Sequence, residues 1–118
     1  MGLSATVLFA GDDPAVRQSL AQLLSMSGYR VLTAEDGFEA LRLLTQQEID
    51  VLLTDIVMPG LDGVELARKA KALRPDMRIM FLTGYSARTA EAIRLGKLLH
   101  KPLRAAAIEA ETRGFLAH

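Results

Sequence analysis

Short apolar runs that stop on an acidic or turn residue are what most constrain this chain. In one of them, Val51-Leu52-Leu53-Thr54-Asp55, three apolar residues run towards a carboxylate, and Pro59-Gly60 follows soon after. A run this short, bounded by breakers, reads as a buried strand. Residues 5–10, 29–34 and 78–82 have the same form, and 97–100 is a weaker example. Between them apolar residues recur at helical spacing, first as Val16, Leu20, Leu23 and Leu24, then as Phe38, Leu41 and Leu44, and then as Val64, Leu66, Ala67, Ala70 and Leu73. A short fourth helix over 87–95 stops at Gly96, and an Ala-rich helix over 103–116 ends the pattern. The punctuation agrees. Asp13 precedes Pro14 as cap and first helical residue, Ser27-Gly28 closes the first helix, and Asp62 can cap the third. Strand and helix therefore alternate, which predicts an α/β fold: a doubly wound five-stranded parallel sheet with helices on both faces.

Composition sets the outer bounds. A chain of 118 residues, half of them hydrophobic, is sized for one domain with one core. Fourteen basic residues balance fourteen acidic ones, so net charge gives no reason to expect nucleic-acid contact or an anionic membrane as partner. Cysteine is absent, which removes disulfides and thiolate metal sites. No apolar run approaches the roughly 20 residues that span a bilayer, and Met1-Gly2-Leu3-Ser4 does not begin a signal peptide. The expectation is a cytoplasmic domain with no membrane insertion.

Right-handed crossovers put the carboxyl ends of all parallel strands on one edge, where open α/β sheets bind ligands. Strand one ends in Asp12 and Asp13, strand three in Asp55, strand four in Thr83 and strand five in Lys101. Each has an ordinary explanation: Asp13 as a helix cap, Thr83 as β-propensity, Lys101 as a surface cation. Together they bring carboxylates, a hydroxyl and an ammonium to one rim. Crowded carboxylates need a counter-charge. Mg²⁺ suits them, because it takes one or two carboxylates, waters and a phosphate oxygen. Thr83 can donate to a phosphoryl oxygen and Lys101 can reach phosphate or carboxylate. Asp55 is then a candidate nucleophile, since carboxylates form aspartyl phosphates. His100 reads as an ordinary side chain and the methionines as core filler.

Five motifs, in order and covering nearly the whole chain, carry a resemblance. They are Gly11-Asp12-Asp13-Pro14-Ala15-Val16-Arg17, Ala34-Glu35-Asp36-Gly37-Phe38, Asp55 with Met58-Pro59-Gly60-Leu61-Asp62-Gly63, Leu82-Thr83-Gly84-Tyr85, and Lys101-Pro102. The chain resembles receiver domains of two-component response regulators. The resemblance implies a flavodoxin-like (CheY-like) sheet of order 2-1-3-4-5 and a single receiver domain over 1–118. It implies that Asp55 accepts a phosphoryl group from a phosphohistidine on a histidine kinase or histidine phosphotransfer protein. Mg²⁺ would be held by Asp12, Asp55 and the backbone carbonyl of Val57, with Asp13 as an alternative ligand. Thr83 and Lys101 would contact the acyl phosphate, and the peptide before Pro102 would be cis. Such a domain is a regulatory switch that catalyses only its own phosphorylation and dephosphorylation.

Three departures from the family pattern stand out. Gly11 replaces the first of two acidic residues, which predicts weaker Mg²⁺ binding; a register shifted by one would instead make Asp12 and Asp13 the pair. Leu98 stands where many receivers carry an aromatic switch residue. Only 17 residues separate Thr83 from Lys101, which predicts a short fourth helix and looks like receivers of hybrid sensor kinases. Other readings are a degenerate receiver that binds partners without phosphorylation, a small phosphatase with an Asp nucleophile, and a flavodoxin. The phosphatase reading lacks a second carboxylate two residues after Asp55 and room for a cap, and Thr83-Gly84-Tyr85 alone makes no phosphate-cradling loop.

Overall fold

The computed structural model describes residues 5–84, 88–100 and 104–116. Five strands and five helices alternate: β1 (Thr6–Ala10), α1 (Pro14–Met26), β2 (Arg30–Ala34), α2 (Gly37–Gln46), β3 (Val51–Asp55), α3 (Gly63–Leu73), β4 (Arg78–Thr83), α4 (Thr89–Leu95), β5 (Lys97–His100) and α5 (Ala105–Leu116). The strands form one parallel sheet of order β2-β1-β3-β4-β5. This is the order expected from the sequence.

β1, β3 and β4 are the central strands, and β1 and β3 are buried at every residue. Their side chains alternate between two cores. Leu8, Leu52, Ile79 and Phe81 point into one core, beneath α2, α3 and α4. Val7, Phe9, Val51, Leu53, Met80 and Leu82 point into the other, with Leu20 and Leu24 of α1 and Ile108 of α5. Each fully buried large side chain contributes about 1.5–3 kcal/mol. Both faces being covered is why these strands read as unbroken apolar runs.

The helix starts follow the local chemistry. Asp13 Oδ1 accepts from the amides of Ala15 (2.9 Å) and Val16 (3.4 Å), with Pro14 opening the helix. Asp36 accepts from the Glu39 amide at 2.8 Å, and Asp62 from the Glu65 amide at 3.0 Å. α1 stops at Ser27, and Gly28 follows with φ +97°, a left-handed turn that glycine adopts without strain. α4 has 7 residues, the short helix that the spacing predicts.

Two apolar assignments need correction. Phe38 is 62% exposed, and its ring lies over Gly60 in the β3–α3 loop rather than in the core. Ala40 and Leu44 carry the buried face of α2 instead. Leu73, on the last turn of α3, is also largely exposed. Met58, Met77 and Met80 fill the core, whereas Met26 is on the surface.

Candidate functional site

Sheet register assembles the site. Ala10 pairs with Thr54, so Gly11 and Asp12 emerge beside Asp55 on one side. Asp55 pairs with Leu82, which brings Thr83 to its other side. Thr83 pairs with His100, the residue before Lys101. Lys101, Pro102 and Tyr85 lie outside the described residues.

Asp55 is 4% exposed, a carboxylate almost wholly removed from water at the sheet edge. Burying an ionised carboxylate is costly unless positive charge or donors compensate, so the position favours a bound cation or an ammonium. Thr83 is also 4% exposed, and its buried Oγ1 has no hydrogen-bond partner among the described residues. Such an orphaned hydroxyl costs about 1–3 kcal/mol. Asp12 is exposed at the loop after β1, open to a hydrated ion. The Asp13 side chain serves as the α1 cap.

The surrounding loops are held tightly. The Gly63 amide donates to the Ile56 carbonyl at 2.7 Å, closing the β3–α3 loop, and the Ile56 amide donates to Leu82 O at 3.2 Å. Gly63 is glycine for lack of room: an added Cβ would lie 2.0 Å from the Asp55 carbonyl oxygen. Val57, whose carbonyl is the candidate backbone ligand, is 67% exposed. On the β1 side, Arg17 Nη1 donates to the Gly11 carbonyl at 2.8 Å.

Among the described residues no group of three or more His, Cys, Asp or Glu side chains could hold a metal by itself. The donors fit Mg²⁺ in its usual sparse mode: two carboxylates, Asp12 and Asp55, with a backbone carbonyl and the remaining positions left to water and phosphate oxygen.

Sequence reasoning missed an ion-pair network beside the site. Arg88, just before α4, donates to Asp62 Oδ2 at 2.7 Å, Glu65 Oε2 at 2.9 Å and both oxygens of Glu91 at 3.0 Å. Arg68 bonds Glu65 at 2.7 Å and Glu91 at 2.6 Å. The contacts with Arg88, and then with Arg68, hold the Glu91 carboxyl down at about 2. The network ties the start of α4 to the first two turns of α3. Only the spacing of Glu65 and Arg68, and of Arg88 and Glu91, three apart, hinted at it.

Comparison with known proteins agrees with this fold. The family model described as the response regulator receiver domain matches residues 7–113. The response regulator receiver protein CpdR of Brucella abortus (strain 2308) is 42% identical over 100 residues, covering 81% of this chain and 83% of that protein. Response regulator MprA of Mycobacterium ulcerans (strain Agy99) is 42% identical over 81 residues, 69% of this chain, but the match spans only 35% of MprA. Among solved structures, the receiver domain of the hybrid histidine kinase CckA superposes with a TM-score of 0.82 at 34% identity, covering 95% of this chain and 99% of that one. With a family model matching residues 7–113 and a relative 42% identical over 81% of its length, the chain belongs to the response regulator receiver domain family.

Proposed function

We propose that this chain is a single phosphoacceptor domain in which Asp55 takes a phosphoryl group from a phosphohistidine on a histidine kinase or histidine phosphotransfer protein. The observation that carries the reading is the buried Asp55 carboxylate beside the buried Thr83 hydroxyl, which has no partner among the described residues. In the transfer, a carboxylate oxygen of Asp55 forms a bond to phosphorus as the nitrogen–phosphorus bond of the donor breaks. The electron pair stays on the imidazole nitrogen, and the ring leaves neutral when its other nitrogen carries a proton. Asp55 supplies the nucleophile, and the rest of the site contributes positioning and electrostatics.

Asp12, Asp55 and the Val57 carbonyl would hold Mg²⁺, which when bound offsets negative charge on the carboxylates and the phosphoryl oxygens. Thr83 donates its hydroxyl to a phosphoryl oxygen, and Lys101 supplies the cation on the β5 side. Gain of the phosphoryl group satisfies Thr83 and shifts the domain's conformational equilibrium. The domain is thus a switch that works on itself, not an enzyme acting on other substrates. No helix among the described residues is long and apolar enough to cross a membrane. That fits the cytoplasm, where such a kinase domain would meet it. The seven-residue α4 and the likeness to the CckA receiver favour a place in a relay with a hybrid sensor kinase.

The test is incubation with a small-molecule acyl phosphate, with Mg²⁺ or with a chelator, read by intact mass. One phosphoryl group gained only with the metal supports the reading. No gain under either condition favours a phosphorylation-independent interaction module.

A further inference from the structure

Gly11 and Phe9 lie on the same side of β1, two residues apart, and their side-chain space is shared with Asp55. A Cβ built on Gly11 would lie 2.8 Å from Phe9 Cζ, 3.3 Å from Phe9 Cε2 and 2.9 Å from Asp55 Oδ2. The backbone at Gly11 is not in the left-handed region, so torsional freedom does not explain this glycine. The explanation is room. The edge of a ring that is 1% exposed and an oxygen of a carboxylate that is 4% exposed meet at the one point a side chain would need. Gly11 itself is held in place, because its amide donates to Ala34 O at 3.1 Å and its carbonyl accepts from Arg17 at 2.8 Å. The backbone therefore has no easy way to yield.

We infer that Phe9 and Gly11 act as one unit that positions the Asp55 carboxylate. The ring forms an apolar wall on the β1 side and directs its electropositive edge into the gap where Oδ2 sits. Gly11 leaves Oδ2 the space to lean there. Between them they fix how the carboxylate presents its oxygens to a cation and to phosphorus. Phe9 is a positioning residue, since it borders the same space as the acceptor carboxylate and would act through it rather than on the phosphoryl group. The inference rests on the reading of Asp55 as acceptor for its consequence, but not for the packing.

Four proteins test it: the wild type, Gly11→Ala, Phe9→Leu, and Phe9→Leu/Gly11→Ala. Three quantities are read: thermal midpoint, the Mg²⁺ concentration that half-saturates the backbone amide shifts of Asp12 and of the residue before it by NMR, and the rate of labelling by an acyl phosphate. Gly11→Ala is expected to lower the midpoint by about 5 °C or more, since one methyl group overfills a closed site. It is also expected to weaken Mg²⁺ several-fold and slow labelling by about tenfold, because small misplacements of a reacting group are costly. Phe9→Leu removes the ring edge, so in that background the added methyl can shift towards the vacated space and away from Asp55 Oδ2, and a large part of all three losses is recovered. Strong non-additivity is the signature of a shared site. A merely structural pair would move the midpoint and leave the Mg²⁺ half-point and labelling rate where they were, which would overturn the positioning role. Additive effects would overturn the pairing. Should Gly11→Ala not fold, a folded double variant supports the inference and an unfolded one refutes it. Absence of labelling in the wild type would count against Asp55 as acceptor, while the midpoints and Mg²⁺ titration still decide the pairing.

Discussion

Gly63→Ala tests how the site is built more sharply than any core truncation. Gly63 opens α3, and at a helical position alanine is ordinarily favoured over glycine by about 0.5–1 kcal/mol. Propensity alone therefore predicts a more stable protein. The structure predicts the opposite. The new methyl carbon would sit 2.0 Å from the Asp55 carbonyl oxygen, 2.9 Å from its carbon and 3.0 Å from Ile56 Cα. All three are backbone atoms, so no side chain can rotate away. Relief requires the start of α3 and the end of β3 to part, which breaks the 2.7 Å bond from the Gly63 amide to Ile56 O. Overpacking costs about 1–3 kcal/mol and a lost buried hydrogen bond about 1 more, so after the propensity gain the net loss is about 1–3.5 kcal/mol. For a domain of this size that lowers the thermal midpoint by about 10 °C. Gly114→Ala is the control, because a Cβ there meets nothing within 4 Å inside α5 and should raise the midpoint by a few degrees. Differential scanning calorimetry reads both. A Gly63→Ala midpoint at or above wild type would refute the close approach that seats Asp55.

Other outcomes follow from individual contacts. Thr83→Val removes a buried hydroxyl that has no partner among the described residues, and should raise stability by about 1 kcal/mol in urea unfolding while slowing phosphoryl transfer; a loss of stability would mean the hydroxyl is already satisfied. Asp13→Ala removes the α1 cap and should cost about 1 kcal/mol in the same assay. The depressed Glu91 carboxyl contributes stability above its ordinary value of 4.5, and that contribution fades as pH falls towards about 2. Arg88→Met should flatten the acid limb of the midpoint–pH curve and reduce the sensitivity of the midpoint to salt, and an unchanged acid limb would count against the network.

Much of the architecture was legible because both faces of the sheet are buried, so strands read as plain apolar runs and helices as periodic ones. Asp13 and Asp62 could be placed as caps because capping is a local, i to i+2 or i+3, interaction, and Asp36 caps α2 in the same way. The convergence of Asp12, Asp55 and Thr83 was also readable, because parallel topology converts strand ends into neighbours. The failures share a cause. Phe38 has the right spacing for a core residue, yet its partner is Gly60 in a distant loop. Two of the three acidic partners of Arg88, Asp62 and Glu65, come from the start of α3, and periodicity cannot see across that separation. Gly11 read as a missing carboxylate; that a side chain there would also meet Phe9 and Asp55 was not visible, because those neighbours come from the strand geometry.

The central claim is that Asp55 is the phosphoacceptor. Its most direct test is intact-mass measurement of wild type and Asp55→Asn side by side, after incubation with an acyl phosphate and Mg²⁺. The account predicts one phosphoryl group on the wild type and none on the variant, with circular dichroism showing both folded. A folded Asp55→Asn protein that still gains the group would contradict it.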